Sequence, residues 1–396
     1  MELTCQSVVE NLNKRGHQSQ VLTSNYGQTR PVTEGKIDRR LYLEMDLKPL
    51  RNAIDFFLRC KKYEAHNRCI LREHIQRFQP DVVFIWGMWN LHRILAYDAE
   101  QILGDRVLYR FGDYWPTLPS QFMLYWQAPA RSIPAHIIKT PLRSIALHSL
   151  SNQAPIELKY PHSYCISQAV KKHLLSLNVP IDDSDIIYNG LDMTQFRRKS
   201  LELDNMDLHK LLYVGRLAPE KGPDIALKAL AYLLKNGNNQ NWFLTIVGSG
   251  SSDYVAKLKN FAKAHSVSDH INYVGQLPAS EIPGLMCDHG ILIVPSLWEE
   301  PFGRVIVDGM LSGCVVIGSE TGAIPEIIEH NHTGCLFPPG DFKALAVLLE
   351  SLAEKPEHCR NLASNGKRFV LSMFDLEKMV DEVEVLLERV FIGQLT

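Results

Sequence analysis

Two carboxylates on either side of a glycine are the residues of this sequence with the clearest potential for chemistry. They are Glu300 and Asp308, in the stretch W-E-E-P-F-G-R-V-I-V-D that begins at Trp298. Gly303 lies between them, and the apolar spacing after it predicts a helix over Arg304–Ser312. A glycine here lets the backbone approach a ligand, and the free N–H groups of a helix start attract an anion. Carboxylates beside an anion site suit a ligand that also carries hydroxyl groups, such as a sugar nucleotide.

The spacing of the two acids predicts their orientation. Asp308 follows Glu300 by eight residues. At about 100° per residue this offset returns close to the same helix face, so both carboxylates should look into one cleft. The competing interpretation is a solvated strand-to-helix turn, which is the commoner meaning of an isolated pair of acids at this distance.

Three further loops favour the ligand-binding interpretation, because each follows a predicted strand. G-R-L-A-P-E-K-G places Arg216 and Lys221 five residues apart, and two cations on a glycine-bounded loop suit a diphosphate. G-S-G-S-S, starting at Gly248, is a backbone cradle without the third glycine of a dinucleotide fingerprint. At Gly275 a flat base has room against the backbone. Any one of these is more often a surface loop, but four at one sheet edge indicate a binding site.

A further candidate lies in the first half of the chain. Asp113 follows the predicted strand Arg106–Phe111, where open α/β sheets place ligand-binding groups. A turn-forming aspartate before Tyr-Trp-Pro explains it equally well. The segment Gly112–Leu150 reads as a long ordered loop, because it is rich in aromatic residues.

The elements that must position these residues form two alternating series of strands and helices, typical of parallel sheets covered by helices. In the first half the predicted strands are Ser19–Thr23, Asp81–Trp86, Arg106–Phe111, His162–Ser167 and Asp185–Tyr188. In the second half they are Lys210–Val214, Trp242–Val247, His270–Val274, Gly290–Val294 and Cys314–Gly318. The predicted domains are 1–192, a linker over 193–207, a second domain over 208–375, and a C-terminal helix over 376–396 that returns to the first domain.

Composition and charge narrow the class of protein. The 396 residues, 45% hydrophobic and 22% charged, suit two globular domains. Eight scattered cysteines without a C-x-x-C pair favour neither a metal site nor a disulfide framework, and fit a reduced, cytoplasmic setting. Residues 1–200 hold 26 Lys+Arg against 19 Asp+Glu, and residues 201–396 hold 16 against 25. The basic half is either a solvated surface or a peripheral contact with the inner face of a membrane.

Together these motifs resemble the retaining glycosyltransferases of the GT-B fold, family four (glycosyltransferase group 1 type). The resemblance covers nearly the whole chain and is densest over residues 210–340, which also contain V-P-S-L-W-E-E-P-F-G and E-T-G-A-I-P-E-I-I-E. It implies an α/β fold of two Rossmann-like domains facing across a cleft. It further implies that Arg216 and Lys221 hold a diphosphate, that Glu300 with the backbone of Phe302 and Gly303 holds the sugar and phosphate, and that Asp308 holds the ribose.

This sequence departs from the family pattern at three points. The second acid is usually glutamate, and Asp308 is one methylene shorter. Relatives often carry a histidine where this chain has Gly112-Asp113, which leaves the catalytic assignment of Asp113 open. Relatives also begin with a strand and a glycine-rich loop ahead of the segment that resembles E-L-T-C-Q-S-V-V, so we expect the first strand of the N-terminal domain to be missing here.

The predicted function is metal-independent, retaining hexosyl transfer from a nucleoside-diphosphate sugar to an acceptor hydroxyl. The acceptor would be a saccharide or a lipid-linked sugar in cell-envelope polysaccharide, glycolipid or other glycoconjugate synthesis, and no nucleic-acid partner is expected. No cofactor is predicted beyond the nucleotide sugar, which is the donor substrate. Two alternatives stay open: a GT-B-like epimerase or phosphorylase, and a non-catalytic or weakly active truncated sugar-nucleotide-binding protein.

Overall fold

The computed structural model of the chain describes residues 2–27, 32–47, 51–130, 133–152, 155–193, 206–237 and 241–393. The chain divides into two compact units. The first unit is Met1–Ile166, Lys171–Ile187 and Val380–Thr396, and the second is Ser167–Val170 and Tyr188–Met379. The predicted linker 193–207 lies mostly outside the described residues.

The first half of the chain alternates helices and short strands. In order they are α1 (Glu2–Lys14), β1 (Val21–Ser24), β2 (Val32–Glu34), β3 (Ile37–Leu41), α2 (Asn52–Leu58), α3 (Cys60–Phe78), β4 (Val83–Ile85), α4 (Ile94–Leu103), β5 (Val107–Phe111), α5 (Gln121–Gln127), α6 (Ile133–Ser151), β6 (His162–Cys165), α7 (Gln168–Ser176) and β7 (Asp185–Ile186). The expectation that the first strand of the N-terminal domain is missing stays a prediction.

The strands of this half form two sheets, not one. Strands β4, β5, β6 and β7 pair in that order, all parallel, as the sequence predicts. A separate sheet has the order β1-β3-β2, with β1 parallel and β2 antiparallel to β3. The sequence predicts no strand between Ser19–Thr23 and Asp81–Trp86, where β2 and β3 lie. That prediction is wrong because β3 reads I-D-R-R-L, and its charged Asp38 pairs with Arg40 of the same strand and with His74 of α3.

The segment Gly112–Leu150 also differs from its prediction as a loop, since it contains α5 and most of α6. Ser120 begins α5 by accepting a hydrogen bond from the Met123 N–H, as helix-capping serines do. Phe122 and Trp126, four residues apart, then fall on one buried face. Pro141 inside α6 hides the helix from sequence rules that end helices at proline.

The second half of the chain forms one six-stranded parallel sheet with helices between its strands. The elements are β8 (Lys210–Val214), α8 (Pro223–Asn236), β9 (Phe243–Val247), α9 (Ser252–Ala264), β10 (Ile271–Gly275), α10 (Ile282–Met286), β11 (Ile291–Val294), α11 (Arg304–Ser312), β12 (Val315–Ser319), α12 (Ile324–Ile327), β13 (Cys335–Phe337), α13 (Phe342–Ala353), α14 (Pro356–Met373) and α15 (Leu376–Ile392). The five predicted strands are all present, β8 with its predicted bounds.

The order of strands in this sheet is β10-β9-β8-β11-β12-β13. Strands β8 and β11 are neighbours, and the chain proceeds outward from them in opposite directions. Such a point, where strand order reverses, leaves a crevice at the carboxyl ends of the strands. Buried aliphatic strands stabilise the sheet. In β11, for example, all four residues Ile291–Val294 are buried. In the described part of the chain no helix is both long and apolar enough to cross a lipid bilayer.

Candidate functional site

The candidate site lies where strands β8 and β11 end side by side. The loop after β8 carries Arg216 and Lys221, and the loop after β11 carries Glu300. Because both loops leave the carboxyl edge of the sheet at the reversal of strand order, residues 79 apart in sequence meet there.

Lys221 and Glu300 are in direct contact. The Lys221 ammonium lies 2.6 Å from Oε1 of Glu300, and the buried hydroxyl of Ser296 donates to the same oxygen at 2.6 Å. The Lys221 ammonium also lies 4.8 Å from the centre of the Trp298 ring, within range of a cation–π interaction. The pair is only 22% and 10% exposed in its side chains, so its charges act with little solvent screening.

Close backbone packing fixes the two loops against each other. Gly222 has φ +65°, and a Cβ added there would lie 2.0 Å from the Pro295 carbonyl oxygen. The Leu297 N–H donates to the Glu220 carbonyl at 2.9 Å, immediately beside these residues. The position after Lys221 must therefore be glycine, because any side chain would push the two loops apart.

A third loop, after β12, supports Glu300 from behind. The Ala323 N–H donates to the Glu300 carbonyl at 2.8 Å. Gly322, at φ +56°, lies so close that an added Cβ would be 2.3 Å from the Glu300 nitrogen. The loop that carries Glu300 is thus in backbone contact with the loop after β8 and with the loop after β12.

Arg216 lies on the same loop as Lys221 but has a different partner. Its guanidinium pairs with Glu220 at 2.9 Å, and its side chain is 62% exposed. The Tyr213 hydroxyl donates to its backbone carbonyl at 2.9 Å, which holds the loop but leaves the side chain at the surface. An exposed pair of this kind is weak, so Arg216 can exchange Glu220 for an anion at little cost.

The loops after β9 and β10 continue the same edge of the sheet. The Gly248 N–H donates to the Gly275 carbonyl at 2.8 Å, and the Leu217 N–H donates to the Ser249 carbonyl at 2.8 Å. Gly248, at φ +138°, packs directly on Gly215, whereas Gly275, at φ +84°, has open space where a side chain would be. These contacts join the loops after β8, β9 and β10 into one rim, with the open space at Gly275.

The start of α11 is placed next to this rim by Phe302 and Gly303. Phe302 is buried, with its ring edge-on to Phe374 at 5.4 Å between centroids. Its side chain is thus an anchor, and only its backbone is available to a ligand. Gly303 precedes the helix in a left-handed conformation, φ +86° and ψ +48°, and no side chain caps the helix start. The first N–H groups of α11 are therefore of the kind that bind anions.

Asp308 has a partner of its own on α11. Arg304 Nε donates to its two carboxylate oxygens at 3.0 and 3.2 Å. Burial raises the pKa of the Asp308 carboxyl, and the charge and hydrogen bonds of Arg304 offset part of that increase. The prediction that Glu300 and Asp308 share one helix face is wrong. Helix α11 begins only at Arg304, and Glu300 lies before it, on the other side of Gly303.

Asp113 belongs to the first unit and is held in its own turn. Its Oδ1 accepts the Trp115 N–H at 2.9 Å. Burial raises the pKa of the Asp113 carboxyl, with the Trp115 N–H and the charge of Arg110 acting in the opposite direction. This contact is that of a turn-forming aspartate, and the catalytic assignment of Asp113 stays a prediction.

Sequence reasoning missed three residues that shape the site. Ser296 and Trp298 flank the Lys221–Glu300 pair, and Gly322 supports the Glu300 backbone. All three lie inside the motifs that carry the family resemblance. The sequence does indicate a tight turn at Gly322, because T-G-A after a strand is typical of one. It does not indicate that this turn packs against the Glu300 backbone, since tertiary packing decides that contact. Within the described ranges, no group of three or more His, Cys, Asp or Glu residues is arranged to hold a metal ion.

Comparison with known proteins shows what this chain is similar to. Residues 194–369 match the family described as Glycosyl transferases group 1. The chain is 30% identical over 194 residues to the amylovoran biosynthesis glycosyltransferase AmsK of Erwinia amylovora, covering 48% of this chain and 46% of that protein. It is 25% identical over 255 residues to the uncharacterized glycosyltransferase MJ1607 of Methanocaldococcus jannaschii, covering 60% and 63%. The chain thus aligns with between 46% and 63% of the length of these two curated relatives.

Solved structures show the same fold at low sequence identity. Sucrose-phosphate synthase from Thermosynechococcus elongatus has a TM-score of 0.68 at 16% identity, covering 99% of this chain and 93% of that one. Anabaena Alr3699/HepE in complex with UDP has a TM-score of 0.60 at 21% identity, covering 80% and 81%. The predicted fold class is confirmed: this is an α/β protein with parallel, Rossmann-like sheets of the GT-B type.

Proposed function

We propose that this chain is a glycosyltransferase that moves a sugar from a nucleoside-diphosphate sugar to an acceptor hydroxyl, with retention of configuration at the anomeric carbon. The observation that carries the proposal is the Lys221–Glu300 pair at the reversal of strand order, beside the uncapped start of α11. The cation and the helix start suit the diphosphate of a nucleotide sugar, and the carboxylate suits the sugar hydroxyls.

The chemical step in this proposal is loss of the nucleoside diphosphate. As the bond from the anomeric carbon to the phosphate oxygen breaks, negative charge grows on the leaving group. The acceptor oxygen bonds to the anomeric carbon on the same face, and the proton of its hydroxyl passes to the departing diphosphate. Lys221, Arg216 and the first N–H groups of α11 stabilise that charge, and the partly buried setting strengthens their effect. Because these side chains and dipoles supply the positive charge, the proposed reaction proceeds without a metal ion.

Glu300 has two tasks in the proposed site. In the structure it neutralises Lys221, so that a buried ammonium is not left unpaired. When donor binds, the diphosphate takes over as the partner of Lys221, and the carboxylate accepts hydrogen bonds from the sugar hydroxyls. Exchange of one anion for another keeps the ammonium paired throughout.

The donor is proposed to be a uridine-diphosphate sugar. Two of the similar solved structures are of HepE in complex with UDP and with UDP-glucose, which supports testing this nucleotide first. Asp308 is proposed to bind the ribose hydroxyls, and the open space at Gly275 is proposed to take the base. The acceptor is proposed to be a growing saccharide, free or lipid-linked, and the similarity to a protein named for amylovoran biosynthesis supports testing saccharide acceptors first.

Release of nucleoside diphosphate from a panel of UDP, GDP and ADP sugars tests the proposal. We expect release from at least one donor, faster when a saccharide acceptor is present. An α-configured product from an α-configured donor, read from the anomeric proton by NMR, would support retention. Absence of release combined with a thermal shift by nucleoside diphosphate would identify a binding protein instead, and absence of both would refute the site.

A further inference from the structure

Most of the net positive charge of the first half comes from two segments, residues 51–62 and 119–151. Together they contain seven of the 26 Lys and Arg residues in residues 1–200, but only one of the 19 Asp and Glu residues. They account for +6 of the net +7 of the first half. The remainder of that half is almost neutral, so the excess is a local feature and not a general property of its surface.

In the structure these two segments form one layer of helices. We call α2, residues 59–62, α5 and α6 the basic layer. Phe56 of α2 packs against Phe122 and Trp126 of α5, with ring centroids 5.1 and 5.7 Å apart. Ala146 of α6 completes the same buried cluster. The layer therefore has a core of its own and holds its outer residues in fixed positions.

The basic layer exposes large apolar side chains. Leu58 is 72% exposed, Ile137 is 68% exposed and Ile145 is 59% exposed. On α6 the exposed residues Ile137, Pro141 and Ile145 repeat every four residues, which places them along one face of the helix. Ile54 and Leu58 repeat in the same way on α2.

Exposed cations lie in the same segments as these apolar side chains. Arg51, Lys61, Lys62 and Arg143 are exposed, while Arg59 pairs with the single acid of the two segments, Asp55, at 3.4 Å. Lys139 is the exception: it is buried, and its ammonium donates to the carbonyl oxygens of Tyr125 and Ala128. The basic layer thus combines exposed apolar groups with an excess of cations over acids.

We propose that the basic layer docks this protein on an anionic lipid surface. Exposed apolar side chains enter the boundary between headgroups and acyl chains, while nearby Lys and Arg residues bind lipid phosphates. An acidic protein is the rival occupant. A lipid surface fits better, because the apolar side chains stand on separate helices, and fluid headgroups can receive each of them without a matching pocket.

Sedimentation of the purified full chain with vesicles tests the proposal. We use vesicles of phosphatidylcholine alone and of phosphatidylcholine mixed with phosphatidylglycerol, each at low and at high sodium chloride. The expected result is sedimentation with the mixed vesicles at low salt and loss of most binding at high salt, since salt screens the attraction. Equal binding to both kinds of vesicle, or none to either, would overturn the proposal.

Two variants separate the roles of charge and apolar contact. Replacing Arg51, Lys61 and Lys62 together by glutamine should lower the partition coefficient about a hundredfold, at roughly a factor of five for each cation. Leu58→Asn should lower it about tenfold, because one apolar side chain no longer enters the lipid. The matched control replaces three exposed lysines of the second unit by glutamine, Lys235, Lys257 and Lys263, and should bind as the unchanged protein does.

Thermal unfolding and light scattering separate a loss of lipid binding from a loss of folding or of an oligomer. Thermal unfolding of each variant should match the unchanged protein, because all four replaced residues are exposed. A triple variant that folds and still sediments with the mixed vesicles would overturn the role of the cations. If vesicles are not bound, and Leu58→Asn instead dissociates an oligomer in light scattering, then the face is a protein interface.

Discussion

Asp113 and Glu300 are carboxylates that follow strands of parallel sheets, yet the two units use them differently. Asp113 accepts the N–H of Trp115, two residues away in its own turn. Glu300 instead meets Lys221 from the neighbouring strand loop and Ser296 from its own. Position at the end of a strand therefore does not decide which partners a carboxylate has. What differs is whether the neighbouring loops come close enough to bring a second charged group to the carboxylate.

Glycines make that approach possible in the second unit. Around Glu300 the loops touch backbone to backbone at Gly222, Gly248 and Gly322, each with positive φ and each with a backbone atom within 2.3 Å of an added Cβ. In the first unit Gly112 faces the side chain of Arg110. The site of the second unit is thus assembled by close packing of loops, and the following changes test this contrast.

The largest expected effect is that of Gly248→Ala. The added Cβ would lie 1.8 Å from the Gly215 carbonyl oxygen at φ +138°, so we expect a loss of about 2–6 kcal/mol in the free energy of unfolding. Gly275→Ala is the matched control, because it has positive φ but open space, and should cost only about 1–2 kcal/mol. Chemical denaturation measures both, and equal losses would mean that loop packing is not what requires Gly248.

Lys221→Ala should reduce turnover by about 30- to 1000-fold, which is about 2–4 kcal/mol of transition-state stabilisation. The reason is that the leaving diphosphate loses its partly buried cation. Lys210→Ala, at the opposite end of β8 and paired with Asp207, is the control and should keep its turnover. Unchanged turnover in Lys221→Ala would remove this residue from the mechanism.

Asp308→Asn should weaken donor binding by about 1–3 kcal/mol, because a charged hydrogen-bond acceptor is replaced by a neutral amide. Titration calorimetry with nucleoside diphosphate and with nucleotide sugar measures the change. Asp207→Asn, at the far edge of the same sheet, should bind donor normally. Should the Asp308 variant bind as tightly as the unchanged protein, the role of this acid would be confined to its pair with Arg304.

Asp113→Asn should have the smallest effect on stability, a gain below about 1 kcal/mol at neutral pH. Asparagine keeps the acceptor for the Trp115 N–H but removes a buried charge. Because burial raises the pKa of Asp113, the folded protein binds the proton more tightly than the unfolded chain does. This tighter proton binding stabilises the folded protein at low pH. The free energy of unfolding therefore falls as pH rises above about 4.

Urea denaturation of both proteins across the acid range checks this sign. The stability gain of Asp113→Asn should be absent at low pH and grow as pH rises through the raised pKa of Asp113. A variant that becomes less stable as pH rises would show that Arg110 needs the charge of Asp113. Loss of turnover without a change in stability would instead support a catalytic role for Asp113.

Sequence patterns were enough for the fold class and for the loops of the second unit. Continuous apolar runs predicted five of the six strands of its sheet, all except β13, and the spacing after Gly303 predicted α11 with its observed bounds. The same rules predicted β1, β4, β5, β6 and β7 of the first half, but they missed β2, β3 and α6. Strands β2 and β3 are short and charged, and α6 contains a proline, so neither shows the local signal that defines a strand or a helix.

Local sequence therefore determined which residue types follow each strand, such as Lys221 and Glu300 in the loops and Asp308 on helix α11. Tertiary structure alone decided their partners: Glu300 meets Lys221 and Ser296, while Asp308 pairs with Arg304. The physical reason is that strand order sets which loops become neighbours, and β8 and β11 are adjacent although two strands separate them in the chain. Spacing along the sequence carries no record of that adjacency, since it arises only when the sheet forms.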